Sequence, residues 1–146
     1  MEPNYTSEDL KDHIAIAGVI KDSFGNILIQ KHNKYGFITI PIGKAKYGQT
    51  AECGLKEELF EECDIILSDF KLILKKDYSY LREGKLINLV LHLFEIISYS
   101  GIIKNKEIEK HSEQKFMSLE DIKNYSYLSD ATTVSYTHLR AHETDS

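Results

Sequence analysis

The stretch PIGKAKYGQTAECGLKEELFEECDI, residues 41–65, decides how the chain is read. It opens as a loop through Pro41, Ile42, Gly43 and Lys44 and goes on as a helix. Thr50 is the expected N-cap, because its hydroxyl accepts from the free N–H groups of the first turn. Ala51, Leu55, Leu59 and Cys63 then recur at helical spacing and mark a buried stripe. The helix is expected to stop near Asp64. Beside the stripe, the i, i+3, i+4 spacing of Glu58, Glu61 and Glu62 places three carboxylates on one face. Glu57 borders that face. Like charges one turn apart destabilise a helix by roughly 0.2–0.5 kcal/mol per pair. Lys56 relieves Glu52, but no basic residue stands four positions from Glu58. A solvated acidic face is the plain reading of such a run. The chemical reading is a divalent cation, since Mg²⁺ takes oxygen ligands and keeps waters for substrate phosphates. The glycine loop running straight into the helix favours the second.

At these positions the chain resembles the Nudix hydrolase family. The family box reads Gly, five residues, Glu, seven residues, then Arg-Glu-apolar-any-Glu-Glu-any-Gly-apolar. Gly43, Glu58, Leu59, Glu61, Glu62 and Ile65 fall in register. Gln49 stands at the first Glu, Glu57 at the Arg and Asp64 at the late Gly. Residues 41–44 are similar to the family's Pro-Gly-Gly-Lys lead-in with one Gly lost.

The resemblance implies an α/β/α sandwich with a mixed β-sheet over roughly residues 13–124. It implies a metal-dependent hydrolase cleaving the pyrophosphate bond of a nucleoside diphosphate linked to another moiety, a nucleotide or nucleotide sugar. By the same resemblance Glu58, Glu61 and Glu62 hold Mg²⁺ or Mn²⁺, and Gly43 and Lys44 meet the phosphates. Glu58, Glu61 and Lys44 are then catalytic, with a further carboxylate from an acidic stretch near residue 110. Glu109 and Glu113 are the candidates for it, Glu113 being assigned to catalysis, with Phe116 in the family's aromatic place.

The departures have a physical account. The family's Glu and Arg neutralise each other and brace the loop against the helix. A Gln49 amide still donates to a Glu57 carboxylate, with donor and acceptor exchanged. The charge of the pair then changes from zero to −1. Asp tolerates positive φ better than most residues, so the helix stop at Asp64 is kept. Two other classes stay open: a degenerate module that binds a nucleotide without cleaving it, and an interaction domain that has kept only the fold.

Length and composition agree with one globular domain. The chain has 146 residues, 42% hydrophobic and 28% charged, enough for a single core. Its net charge of −5 and lack of a basic run argue against duplex nucleic acid as a partner. A small nucleotide carrying its own cation is compatible with that acidity, with the protein a monomer or homodimer. Cys53 and Cys63 lie on the box helix in no metal-binding spacing and read as reduced packing residues. No apolar run approaches the ~20 residues of a membrane span, and no signal peptide opens the chain, so a cytoplasmic location is expected.

Residues 1–11 read as a loose polar arm. Residues 13–21 and 27–31 form β-rich runs around turn residues 22–26 and read as a hairpin. Residues 37–40 form a short strand that delivers Gly43. The polar segment between these strands contains Lys31 and Tyr35, which reads either as a phosphate and base contact or as a solvated loop. After the box helix, 70–80 and 86–99 read as two long strands turning at 81–85. The apolar run 89–93 suggests a strand covered on both faces, with His92 as a satisfied core histidine. Residues 98–106 are a turn-rich connection. Ser118 caps a short helix to residue 124.

Residues 134–144, VSYTHLRAHET, are similar to one translated frame of a transposon-type sequencing-library adapter. The expected division is therefore one domain over 1–133 and a foreign tail over 134–146 with no partner face. A zinc reading of His138 and His142 is rejected on that ground.

Overall fold

The computed structural model describes residues 5–143, with side chains to residue 141. The rejected His142 ligand and the tail end, 144–146, lie outside those described side chains, as do residues 1–4 of the arm.

The strands are β1 (His13–Val19), β2 (Ile27–His32), β3 (Ile38–Thr39), β4 (Ile42–Lys44), β5 (Ile66–Arg82), β6 (Lys85–Ser100) and β7 (His111–Met117). The helices are α1 (Ala51–Cys63), α2 (Leu119–Lys123) and α3 (Asp130–Glu143). A four-stranded sheet runs β4-β1-β6-β5, and a three-stranded sheet runs β3-β2-β7. The larger sheet is mixed: β1 and β6 are parallel, and β1–β4 and β5–β6 are antiparallel.

The period of two in β1 divides the core. Ile16 and Ile20 point to the layer that holds Leu55, Leu59 and Cys63 of α1. Ala15, Ala17 and Val19 point to the other layer, with Ile27, Ile38, Ile40, Ile122, Ala131 and Leu139. Helices therefore cover both sides, as the sandwich requires. At Gly18 the Leu59 methyl would stand 3.2 Å from an added Cβ, so the bare backbone lets α1 lie close.

Four expectations need correction. First, residues 13–31 are not a hairpin within one sheet. The strands join only at the tip, through the Lys21–Ile27 bridge and Leu28 N–H donating to Ile20 O at 2.9 Å. Beyond it β2 crosses to the smaller sheet, because Ile27 and Ile29 need the second layer. Second, β6 is not covered on both faces along 89–93. Leu89, Leu91 and Leu93 are buried while Val90 and His92 are half-buried, since the α1 layer closes only at Phe94 and Ile96. His92 is not satisfied, because its Nδ1 has no partner.

Third, the N-terminal arm is tied down. Arg82 donates to Asp9 O at 2.8 Å and lies over the Tyr5 ring, and Asp9 pairs with Lys44. Fourth, the segment after 133 packs. Ala131, Thr132, Ser135 and Leu139 form one buried stripe of α3, and Val134 and Tyr136 add to its core layer. The stripe was missed because its middle positions are hydroxyl residues. Thr133, Ser135 and Thr137 each donate to the carbonyl four residues back, at 3.2, 2.7 and 3.0 Å. The foreign origin of 134–146 is a separate proposal about the DNA, tested by sequencing the genomic source.

Candidate active site

Local chemistry builds α1 as the sequence requires. Thr50 accepts from Cys53 N–H at 3.1 Å, and Asp64 stops the helix in the left-handed region at φ 62°. Its N–H donates to Phe60 O at 3.1 Å. The connection after β6 then straps the helix end. Lys104 N–H donates to Cys63 O at 2.9 Å, and Lys106 N–H to Glu62 O at 3.1 Å. This strap carries Glu107 to the inner face of α1.

Glu58, Glu62 and Glu107 offer carboxylate oxygens that all lie within 4.8 Å of one another. Glu62 is fully buried and its Oε2 has no partner. Burial first, and the neighbouring Glu58 second, push the Glu62 carboxyl up to about 9. Burial likewise raises Glu58. Lys110 Nζ stands 3.5 Å from Glu62 Oε1. Burial opposes the Lys110 charge, but Glu62, Glu107 and Glu58 outweigh it and raise its pKa. Three hard oxygen donors, one of them an orphaned buried atom, fit a Mg²⁺- or Mn²⁺-type cation.

Gly43 is shaped by this nest. A Cβ built there would stand 2.2 Å from Glu58 Cδ. Gly43, expected in a loop, thus lies in β4, which passes where only glycine leaves room for the carboxylate.

Next to Gly43 opens a cavity of about 780 Å³ reached from both sheets. Tyr78 and Tyr80 stack at 6.0 Å on one wall, and Tyr35 and Phe37 at 5.2 Å on another. Lys44, Arg82 and Lys110 line it, as do His32 and His111. Tyr78 Oη and His111 Nδ1 are buried without partners at its edge. Tyr80 donates to Asp130, which also lines the cavity.

A family model described as the NUDIX domain matches residues 11–136. The chain belongs to the NUDIX-domain family. A comparison with curated proteins by sequence finds no match for this NUDIX domain. Among solved structures it is similar to a MutT NUDIX hydrolase from Burkholderia pseudomallei. The TM-score is 0.76 at 22% identity, over 87% of this chain and 97% of that one. It is also similar to the NUDIX domain of Shewanella oneidensis NrtR in complex with ADP ribose, with TM-score 0.69 and 13% identity over 94% of each chain. A C. elegans Ap4A hydrolase binary complex gives TM-score 0.63 at 18% identity, over 90% of this chain and 98% of that one. Likeness at these identities speaks to the fold.

This NUDIX domain keeps the altered brace. Gln49 Nε2 donates to Glu57 Oε2 at 2.8 Å. Lys46, which the sequence reading overlooked, pairs with the other Glu57 oxygen, so the local charge returns to zero. Lys46 and then Gln49 hold the Glu57 carboxyl below its usual range.

The expected site residues divide. Glu58 and Glu62 enter the nest, and Glu61 lies exposed beside it. Glu107 joins them in place of Glu109 or Glu113. Glu109 lines the cavity, and Glu113 sits on β7 with its carboxylate 3.7 Å from Lys115. Tyr35 and Lys44 line the cavity, whereas Lys31 is absent from its lining. Glu107 lay one helical turn from a basic residue in an irregular segment, and no periodicity marked it.

Among the described residues, no helix is long and apolar enough to cross a membrane.

Proposed function

We propose that this chain is a divalent-metal-dependent hydrolase of the pyrophosphate bond in a nucleoside diphosphate linked to another moiety. The meeting of Glu58, Glu62 and Glu107 within 4.8 Å, beside the cavity, carries that reading. A cation held there by Glu58, Glu62 and Glu107 would screen the diphosphate and acidify a water. Glu62 is the anchoring carboxylate, because its environment is the driest. Glu58 and Glu61 orient the attacking water, and Glu61, exposed to solvent, takes its proton on a carboxylate oxygen. Gly43 lets the phosphate chain approach the backbone closely. Lys44 supplies a point charge to it once Asp9 yields. The stacked Tyr35–Phe37 and Tyr78–Tyr80 pairs offer flat faces to a base.

The second reading is a module that binds the nucleotide without cleaving it. The engagement of Lys44 by Asp9 favours it. A panel of nucleoside triphosphates, dinucleoside polyphosphates and nucleotide sugars decides, assayed for product with Mg²⁺, Mn²⁺ or chelator. Metal-dependent turnover of one class is expected. Binding without turnover of any member would establish the second reading instead.

A further inference from the structure

Lys110 occupies two places at once. Its ammonium stands 3.5 Å from Glu62 Oε1 inside the carboxylate nest, and the residue also lines the cavity. Its backbone is fixed. Lys110 N–H donates to Glu107 O at 2.9 Å, and Lys110 O accepts from Asn33 N–H at 2.9 Å. Asn33 Nδ2 further holds Glu109 O at 2.9 Å. Only the flexible four-carbon stem is left to move.

The contact with Glu62 is long for an ion pair, and Glu62 Oε2 is left without a partner. One ammonium faces Glu58, Glu62 and Glu107 together, so it cannot satisfy every oxygen of the nest. A divalent cation bound to those oxygens would repel the ammonium at close range. With its backbone pinned, the side chain has the cavity as its way out. A phosphate arriving beside Gly43 would meet it there, while Lys44 is engaged by Asp9.

We propose that Lys110 is a built-in counter-ion of the Glu58–Glu62–Glu107 nest, which metal displaces into the cavity to bind the substrate's phosphate. The inference rests on the metal-binding reading above and assigns this residue a place in it. Lys110 thereby couples the two binding events: metal releases the cation that the phosphate needs. Without metal, the ammonium holds the nest together and is withheld from the ligand.

Calorimetric titration of Mn²⁺ into the substrate-free protein tests this without any turnover. Lys110→Met should bind Mn²⁺ roughly tenfold more tightly than the parent. Lys110→Arg, which keeps the charge, should stay near the parent. Inorganic pyrophosphate, titrated with Mn²⁺ present, should bind Lys110→Met roughly tenfold more weakly. If Lys110→Met does not fold, Lys110→Gln gives the same comparison. Equal or weaker Mn²⁺ binding by the uncharged variant would overturn the counter-ion role alone. Absence of Mn²⁺ uptake by parent and variant alike would overturn both it and the metal reading.

Discussion

Two carboxylate groups sit five residues apart on α1 and meet opposite fates. Glu57 lies at the surface, where Gln49 donates to one oxygen and Lys46 pairs with the other. Its pKa falls and its charge is answered locally. Glu62 is buried, leaves one oxygen unpaired, and has its pKa raised by burial. A protein gains little from the first arrangement, since exposed ion pairs contribute about 0–1 kcal/mol. It retains the second against its cost, because a buried carboxyl oxygen without a partner destabilises. A cost of that kind, retained in a cluster of acids, is what distinguishes the Glu62 face of the helix from the Glu57 face.

The sharpest way to break the contrast is to neutralise each side in turn. Glu62→Gln should cut turnover roughly a thousandfold, the several kcal/mol that a held cation supplies. The same variant should melt no lower than the parent in chelator, because a buried acid has gone. Its melting temperature should no longer rise with added Mg²⁺. Glu57→Gln should cost at most about fivefold in turnover, on the scale of an exposed pair. Comparable losses from the two variants would erase the distinction.

Gly43→Ala tests the nest from the loop side. Its methyl must push the Glu58 carboxylate from the place it holds. Turnover should fall roughly a hundredfold, as displacements of about 1 Å at reacting groups do. Thermal melting should change by only a few degrees, since the clash is with a side-chain end. Wild-type kinetics in this variant would show that Glu58 has slack.

A smaller effect is expected at the brace. Gln49→Glu sets two carboxylates against one Lys46 and should slow turnover about fivefold. Adding Glu57→Arg should restore it, so that the two changes are non-additive in a double-mutant cycle. If Gln49→Glu alone is the faster enzyme, the compensation is not there.

The smallest effect concerns the imidazoles beside Lys110. His32 and His111 lie with ring centroids 5.6 Å apart. Burial, and then the Lys110 charge, lowers both to about 4 from the ordinary 6.5. The unfolded chain therefore binds more protons between those values, and stability is lost as pH falls from about 6.5 to about 4. Against His32→Phe, the parent's melting temperature should drop across that window and level off below it. A constant difference would show that His32 titrates normally.

What the sequence revealed was what short-range chemistry decides. Thr50, the Ala51-to-Cys63 stripe and Asp64 define α1 by contacts within a few residues, and all three hold. The Gln49–Glu57 brace was legible because one amide and one carboxylate have few ways to meet. Glu107 was not legible. Its position depends on carbonyls of Glu62 and Cys63 more than forty residues earlier, which strap its loop. The division of β1 and β2 between sheets was hidden because both strands bury both faces over part of their length. The Asp9–Lys44 pair was hidden because a polar arm reads the same whether free or docked.

The hydroxyl-rich start of α3 bears on the order of assembly. Thr132 Oγ1 accepts from Ile40 N–H at 2.9 Å, and Ser129 Oγ donates to Thr39 Oγ1 at 3.0 Å. Ile40 thus has its amide satisfied by a residue 92 positions later. The helix that brings it is rich in Thr, Ser and Val, weak formers that hold only when docked. During synthesis, the segment leading to Gly43 must therefore wait for Thr132, 92 positions after Ile40, to leave the ribosome. The box segment is translated early and finished late, so a nascent chain halted before α3 would carry every box residue without the hydrogen bond that satisfies Ile40.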